Sequence, residues 1–290
     1  MVARYGFAPR RGFFSRMMVM CPRALLVGMG VLALLALSGC DDDDDDDCLT
    51  CPDEAPAAPR GLYSITGDGQ VTLSWYANTE PDLDGYAVYR SESYDGTYHL
   101  IATIAPCEDD CLTEEVEVAA PNGETWFYAV AAFDRHDHES ELSYENVSDT
   151  PRPEGTATIV NSEVSIDGAG FDLSVPAIVA ADDPHADFYY FHDAAGGLIV
   201  AGSLAFVHDD TEIQDMGYTS NFDEIGYAPA SGWSPLQSVE AIVGHSYVLL
   251  TRDDHYAKIR ITEMTAAGLT FTWAYQRQVM NQELSHPLKP

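Results

Sequence analysis

Basic residues are scarce. The 290-residue chain has 14 Lys and Arg against 47 Asp and Glu, a formal net charge of -33. Binding a nucleic-acid backbone requires clustered cations, so a nucleic-acid partner is excluded. Motifs that mark common catalytic folds are also missing. There is no Gly-x-Ser-x-Gly, no phosphate-binding Gly-rich loop, no Gly-x-Gly-x-x-Gly and no His-Glu-x-x-His. Carboxylate pairs occur throughout so acidic a chain, so no particular pair identifies a glycosidase. No amphipathic helical pattern of ten or more residues follows residue 40, and the longest apolar run, at 24–37, is too short to span a bilayer as a helix.

What basic charge there is lies unevenly. Arg4, Arg10, Arg11, Arg16 and Arg23 precede the apolar run, and residues 1–39 carry no acid. Without this segment nine basic residues face the 47 acids, a net of -38. A cationic start, a short apolar stretch and small residues after it form a secretory signal. Leu37-Ser38-Gly39-Cys40 closes the segment and resembles the lipobox of bacterial lipoproteins. The resemblance implies cleavage before Cys40, lipid on its thiol, and a membrane partner reached through the lipid anchor. Two or more acyl chains hold a protein stably on a bilayer. The expected location is therefore the cell envelope, outside the cytoplasm. Asp41 to Asp47 follow as seven consecutive acids, a run that repels itself and reads as an extended tether over 40–57.

Four cysteines remain in the exported part: Cys48, Cys51, Cys107 and Cys111. An even number in an oxidising compartment reads as disulfides, and four cysteines permit three pairings. Cys107 and Cys111 can pinch one loop, with Cys48 closing on Cys51. Alternatively, crossed pairs can staple the tether to the first domain. A zinc site of the Cys-x2-Cys, Cys-x3-Cys type is the rival reading.

From 58 to 151 short alternating segments are separated by turn residues. Strands are expected at 70–75, 86–90, 100–104 and 126–132, with Val71, Leu73 and Trp75 on one face. Pro59, Val71-x-Leu73-x-Trp75, Asp84-Gly85-Tyr86-x-Val88-Tyr89-Arg90, Tyr128-x-Val130-x-Ala132-x-Asp134 and Glu139-Ser140-x-x-Ser143 together resemble a fibronectin type III domain. The resemblance implies a two-sheet sandwich. In it Trp75 would pack between the sheets, and Tyr128 would form a corner whose hydroxyl bonds back to the chain. The loop containing His136, Asp137 and His138 is a further candidate metal site, since imidazole and carboxylate are good ligands for divalent metals. The alternative is a solvated turn.

Thr150 to Gly155 read as a linker or boundary. A second antiparallel β domain is expected over 155–284, with strands at 156–160, 188–191, 198–201, 246–251, 256–262 and 269–275. The last three form a meander. Ile259 and Ile261 share one face of their strand, Lys258, Arg260 and Thr262 the other, and Leu269, Phe271, Trp273 and Tyr275 form an aromatic stripe. The segment Tyr247 to Ile261 is similar to the closing hairpin of the HmuY-like haem-binding lipoproteins. That resemblance implies haem as a cofactor, with His185, His192, His208, His245 and His255 as available ligands.

The fold class is therefore all-β: signal peptide at 1–39, tether, fibronectin type III sandwich, second β domain. The leading functional reading is a non-catalytic binding or scaffolding module of the envelope. Its partner would be a protein, a glycan or a small ligand. The alternatives are haem or small-ligand capture by the second domain, and a glycan-binding or carbohydrate-active module.

Overall fold

The computed structural model describes residues 54–107, 111–145, 147–206 and 210–285. The signal segment, Cys40, the tether up to residue 53 with its run of seven acids, Cys48, Cys51 and His208 lie outside them.

The first seven strands build a sandwich. β1 (Arg60–Thr66), β2 (Gln70–Tyr76) and β5 (Thr113–Ala119) form one sheet in the order β1-β2-β5. β3 (Leu83–Ser91), β4 (His99–Ile104), β6 (Trp126–Asp134) and β7 (Val147–Asp149) form the other in the order β4-β3-β6-β7. Every pairing is antiparallel. This three-plus-four arrangement is fibronectin type III-like. Alternation places Val71, Leu73 and Trp75 inside, against Tyr86, Val88, Tyr128 and Val130. Trp75 is fully buried and meets Tyr86 edge-on, with ring centroids 5.2 Å apart. Gly85 permits a close approach: a Cβ there would come within 2.6 Å of the Ile104 carbonyl oxygen.

The corner expected at Tyr128 does not form. Its hydroxyl is buried and makes no bond back to the chain. The bond of that kind belongs to the second domain, where the Tyr247 hydroxyl donates to the Glu240 carbonyl and accepts from the Ile242 amide, both at 2.8 Å.

Ten further strands form two five-stranded sheets. The first sheet contains β9 (Gly170–Asp172), β10 (Ala177–Val179), β11 (Phe188–Asp193), β12 (Gly196–Ala201) and β14 (Ser238–Glu240), in the order β10-β9-β11-β12-β14. The second contains β8 (Glu154–Val160), β13 (Glu212–Tyr218), β15 (His245–Leu250), β16 (Tyr256–Met264) and β17 (Gly268–Tyr275), in the order β13-β15-β16-β17-β8. The expected meander is β15-β16-β17. The aromatic stripe of β17 faces the core, where Phe271 packs against Phe171 and Phe188 with centroids 5.3 and 5.2 Å apart.

As the alternation requires, Lys258 points away from Ile259 and Ile261; that side of the sheet is nevertheless covered. The outer face of β15 and β16 is covered by a second apolar cluster, Ala228, Val248, Tyr256 and Leu284. Lys258 is fully buried in this layer. Its Nζ donates to the Phe222 carbonyl at 2.7 Å, to the Ile225 carbonyl at 3.3 Å and to the Ser285 hydroxyl at 3.1 Å.

Of the two readings of 150–155, linker or boundary, the structure shows a buried boundary between the sandwiches. Thr150 and Arg152 are fully buried, and Glu154 already begins β8. The Arg152 guanidinium donates to the Leu284 carbonyl and, at 2.8 Å, to Glu154. The segment 276–285 returns to the first sandwich. Gln278 Nε2 donates to the Gly123 carbonyl at 3.0 Å and to Thr125 Oγ1 at 2.9 Å, and Thr150 Oγ1 donates to Glu283 Oε2 at 3.1 Å. The junction between the sandwiches is thus packed and hydrogen-bonded from both sides.

Candidate functional site

The outer face of the β11-β12-β14 sheet departs from what a solvated sheet face carries. Phe188 and Tyr190 point into the core and are fully buried. By strand alternation Tyr189, Phe191 and Asp193 point outward. On β12, Ile199 and Ala201 are core, so Leu198 and Val200 point outward. On β14, Val239 packs against the core while Ser238 and Glu240 point away. Register aligns these side chains in two rows across the strands. Phe191 pairs with Leu198 and Leu198 with Glu240; Tyr189 pairs with Val200 and Val200 with Ser238.

The result is an apolar strip of two aromatic and two aliphatic side chains, all half-buried, with exposed carboxylates at its margin. Burial raises the Tyr189 phenol pKa above its ordinary value. Beside Phe191 lies an open cleft of about 340 Å³, bordered by Asp193, Leu198, Glu240 and the Gly196-Gly197 turn. Apolar floors with a few polar groups at the edge characterise small-ligand sites.

A second cluster gathers titratable groups where the 251–255 turn meets the start of β11. Burial pushes the Asp187 carboxyl up to about 7, with Asp172 and Asp253 adding to the shift. The Tyr275 phenol is raised by burial and by Asp253, whose carboxylate lies 3.4 Å from its hydroxyl. Two carboxyls with separated pKa values are a usual acid–base signature. Here, however, Asp187 is only 5% exposed and one of its oxygens accepts from the Leu173 amide at 2.7 Å. Asp172 is occupied too, accepting from the Ser174 amide, the Ser174 hydroxyl and the Val175 amide. These bonds hold the turn after β9.

The residues expected from sequence are dispersed. Cys107 and Cys111 form a disulfide, which removes the crossed pairings and the zinc reading for these two cysteines. The 136–138 loop is organised by Asp134. This buried carboxylate accepts from the His136 and His138 amides at 2.8 and 2.9 Å, and His138 Nδ1 lies 3.1 Å from it. Asp137 takes a left-handed backbone with φ of 64°. Among the described residues no group of three or more His, Cys, Asp or Glu is placed to hold a metal ion. The histidines available for haem are likewise separated. His245 pairs with Asp215 at 2.9 Å at one end of β15, His255 lies beside Asp253 beyond the other end, and His185 pairs with Asp183. The aromatic stripe of β17 is core, packed against Phe171 and Phe188.

Comparison with known proteins gives partial matches. No family model matches the chain. Over 127 residues it is 31% identical to an amylopullulanase of Thermoanaerobacterium saccharolyticum, covering 41% of this chain and 9% of that protein. Over 135 residues it is 30% identical to an amylopullulanase of Thermoanaerobacterium thermosulfurigenes, covering 47% of this chain and 6% of that one. The chain therefore spans under a tenth of the length of these relatives. Among solved structures, an Fn3-like protein from Clostridium thermocellum aligns over 35% of this chain and all of its own length, at 25% identity and a TM-score of 0.27.

Proposed function

We propose that this chain is a lipid-anchored, non-catalytic binding module of the cell envelope that takes a carbohydrate ligand on the outer face of β11, β12 and β14. The observation that carries the reading is the strip of Tyr189, Phe191, Leu198 and Val200 edged by Asp193 and Glu240. Pyranose rings offer an apolar C–H face and a rim of hydroxyls. A flat apolar floor with acceptors at its edge complements both. The sequence shared with segments of two amylopullulanases supports carbohydrate as the ligand class. The non-catalytic part rests on the Asp187 cluster: its most perturbed carboxyl is turned inward and committed to the backbone.

The test is a binding screen of the purified protein on an array of neutral and charged glycans, run beside an assay for reducing ends released from the same glycans. Retention of glycan with no release of reducing ends is expected. Release by the purified protein would overturn the non-catalytic assignment. Retention of no glycan would overturn the carbohydrate ligand.

A further inference from the structure

Resting on that reading of the face, we infer that its ligand is an uncharged, extended polysaccharide, bound with one sugar over Phe191 and a neighbouring one over Tyr189. Three features lead there. The first is charge. The side chains bordering the cleft include two carboxylates, Asp193 and Glu240, and no base, on a chain of net charge -33. An acidic polysaccharide would be repelled both locally and by the whole field.

The second is the composition of the floor. A cationic polymer would be drawn to almost any part of so acidic a surface and would gain nothing from an apolar strip, where its charge would lose water. Neutral sugars gain from both parts. Their C–H faces cover Phe191 and Tyr189, and their hydroxyls donate to carboxylates that remain exposed at the margin. The third is spacing. Phe191 and Tyr189 lie two residues apart on β11, so their side chains stand about 6.7 Å apart along the strand. The rows behind them, Leu198-Glu240 and Val200-Ser238, repeat the pattern of an apolar group followed by an oxygen acceptor. Two equivalent platforms in line suit a repeating chain better than a single sugar.

Affinity electrophoresis of the purified protein through gels containing pullulan (neutral), chitosan (cationic) or alginate (anionic), each at low and high salt, tests the inference. Retardation by pullulan that persists at high salt is expected. Phe191→Ala and Tyr189→Ala should each weaken it about tenfold, the loss of one stacked ring. Both variants should keep the wild-type melting temperature and circular dichroism spectrum, since both side chains lie outside the core. Wild-type pullulan binding by both folded variants would place the site elsewhere. Salt-sensitive retardation by chitosan, or retardation by alginate, without any by pullulan would overturn the uncharged class while leaving a carbohydrate ligand intact. No retardation by any of the three would overturn the inference and the carbohydrate reading together.

Discussion

The guanidinium of Arg152 and the ammonium of Lys258, both fully buried, share one carboxylate: Asp223 Oδ1 lies 3.6 Å from each. The two like charges are tolerated because Arg152 also pairs with Glu154 at 2.8 Å and main-chain carbonyls do the rest. Leu284 accepts from Arg152, and Phe222 and Ile225 accept from Lys258. The ring of Phe222 adds to this, 4.4 Å from the Lys258 ammonium.

Arg152→Ala should destabilise the protein by about 3–5 kcal/mol, the usual cost of removing one member of a buried charge network. It leaves the Leu284 carbonyl without its donor and Asp223 with only Lys258. Urea unfolding followed by intrinsic fluorescence measures this. The wild-type protein should unfold in one transition reporting both sandwiches, and the variant should separate the two. A change under about 1 kcal/mol would mean that the junction is not held by Arg152.

Stability should fall and then rise with pH. The Asp187 carboxyl is raised to about 7 in the folded protein, so the folded state holds a proton that the unfolded state releases near 4. Its contribution is full below pH 4 and is lost as pH rises to about 7. Burial, with Arg152 adding, lowers the Lys258 ammonium to about 7, so its contribution grows as pH rises from about 7 towards 10.5. Asp187→Asn should flatten the acid limb and Lys258→Met the alkaline limb. Thermal melts from pH 4 to 10 would show it, and unchanged limbs in the variants would refute the assignment.

Trp75→Ala should cost about 3–5 kcal/mol, as large core truncations do. Trp75 fills the space between the sheets of the first sandwich against Tyr86. Chemical denaturation checks it, and a loss below about 1 kcal/mol would show that the site refills.

Cys40→Ser should abolish labelling by radioactive fatty acid and move the protein from the membrane to the soluble fraction. Unchanged fractionation would refute the lipid anchor.

The strands with clean alternation were legible before the structure. β2, β12 and β17 lie where Val71-x-Leu73-x-Trp75 and similar runs put them, because one buried face imposes a period of two, whereas β6, buried from Tyr128 to Ala132, showed itself as a continuous apolar run. β1 was not legible, because Ser64 and Thr66 take inward positions where the pattern expects apolar groups. β5 hides behind its three glutamates, and β7, β9, β10 and β14 have three residues each, too few to show a period. Lys258 shows a different limit. Alternation gives the direction of a side chain, but not whether a distant segment such as 222–233 later covers it. The candidate face was hidden for a related reason. Phe188-Tyr189-Tyr190-Phe191 is aromatic at every position, so nothing in it separates the two rings that fill the core from the two that look outward.

The return of segment 276–285 to Gly123 and Thr125 has a mechanical consequence. A chain that passes once between two bodies leaves a swivel. Here Gly123 donates to the Pro151 carbonyl and Thr125 meets Thr150, so the second attachment lies beside the crossing and braces it. A load applied to the second sandwich is then passed to the first through two chain segments rather than one. The angle between the two sandwiches is held by the junction around Arg152.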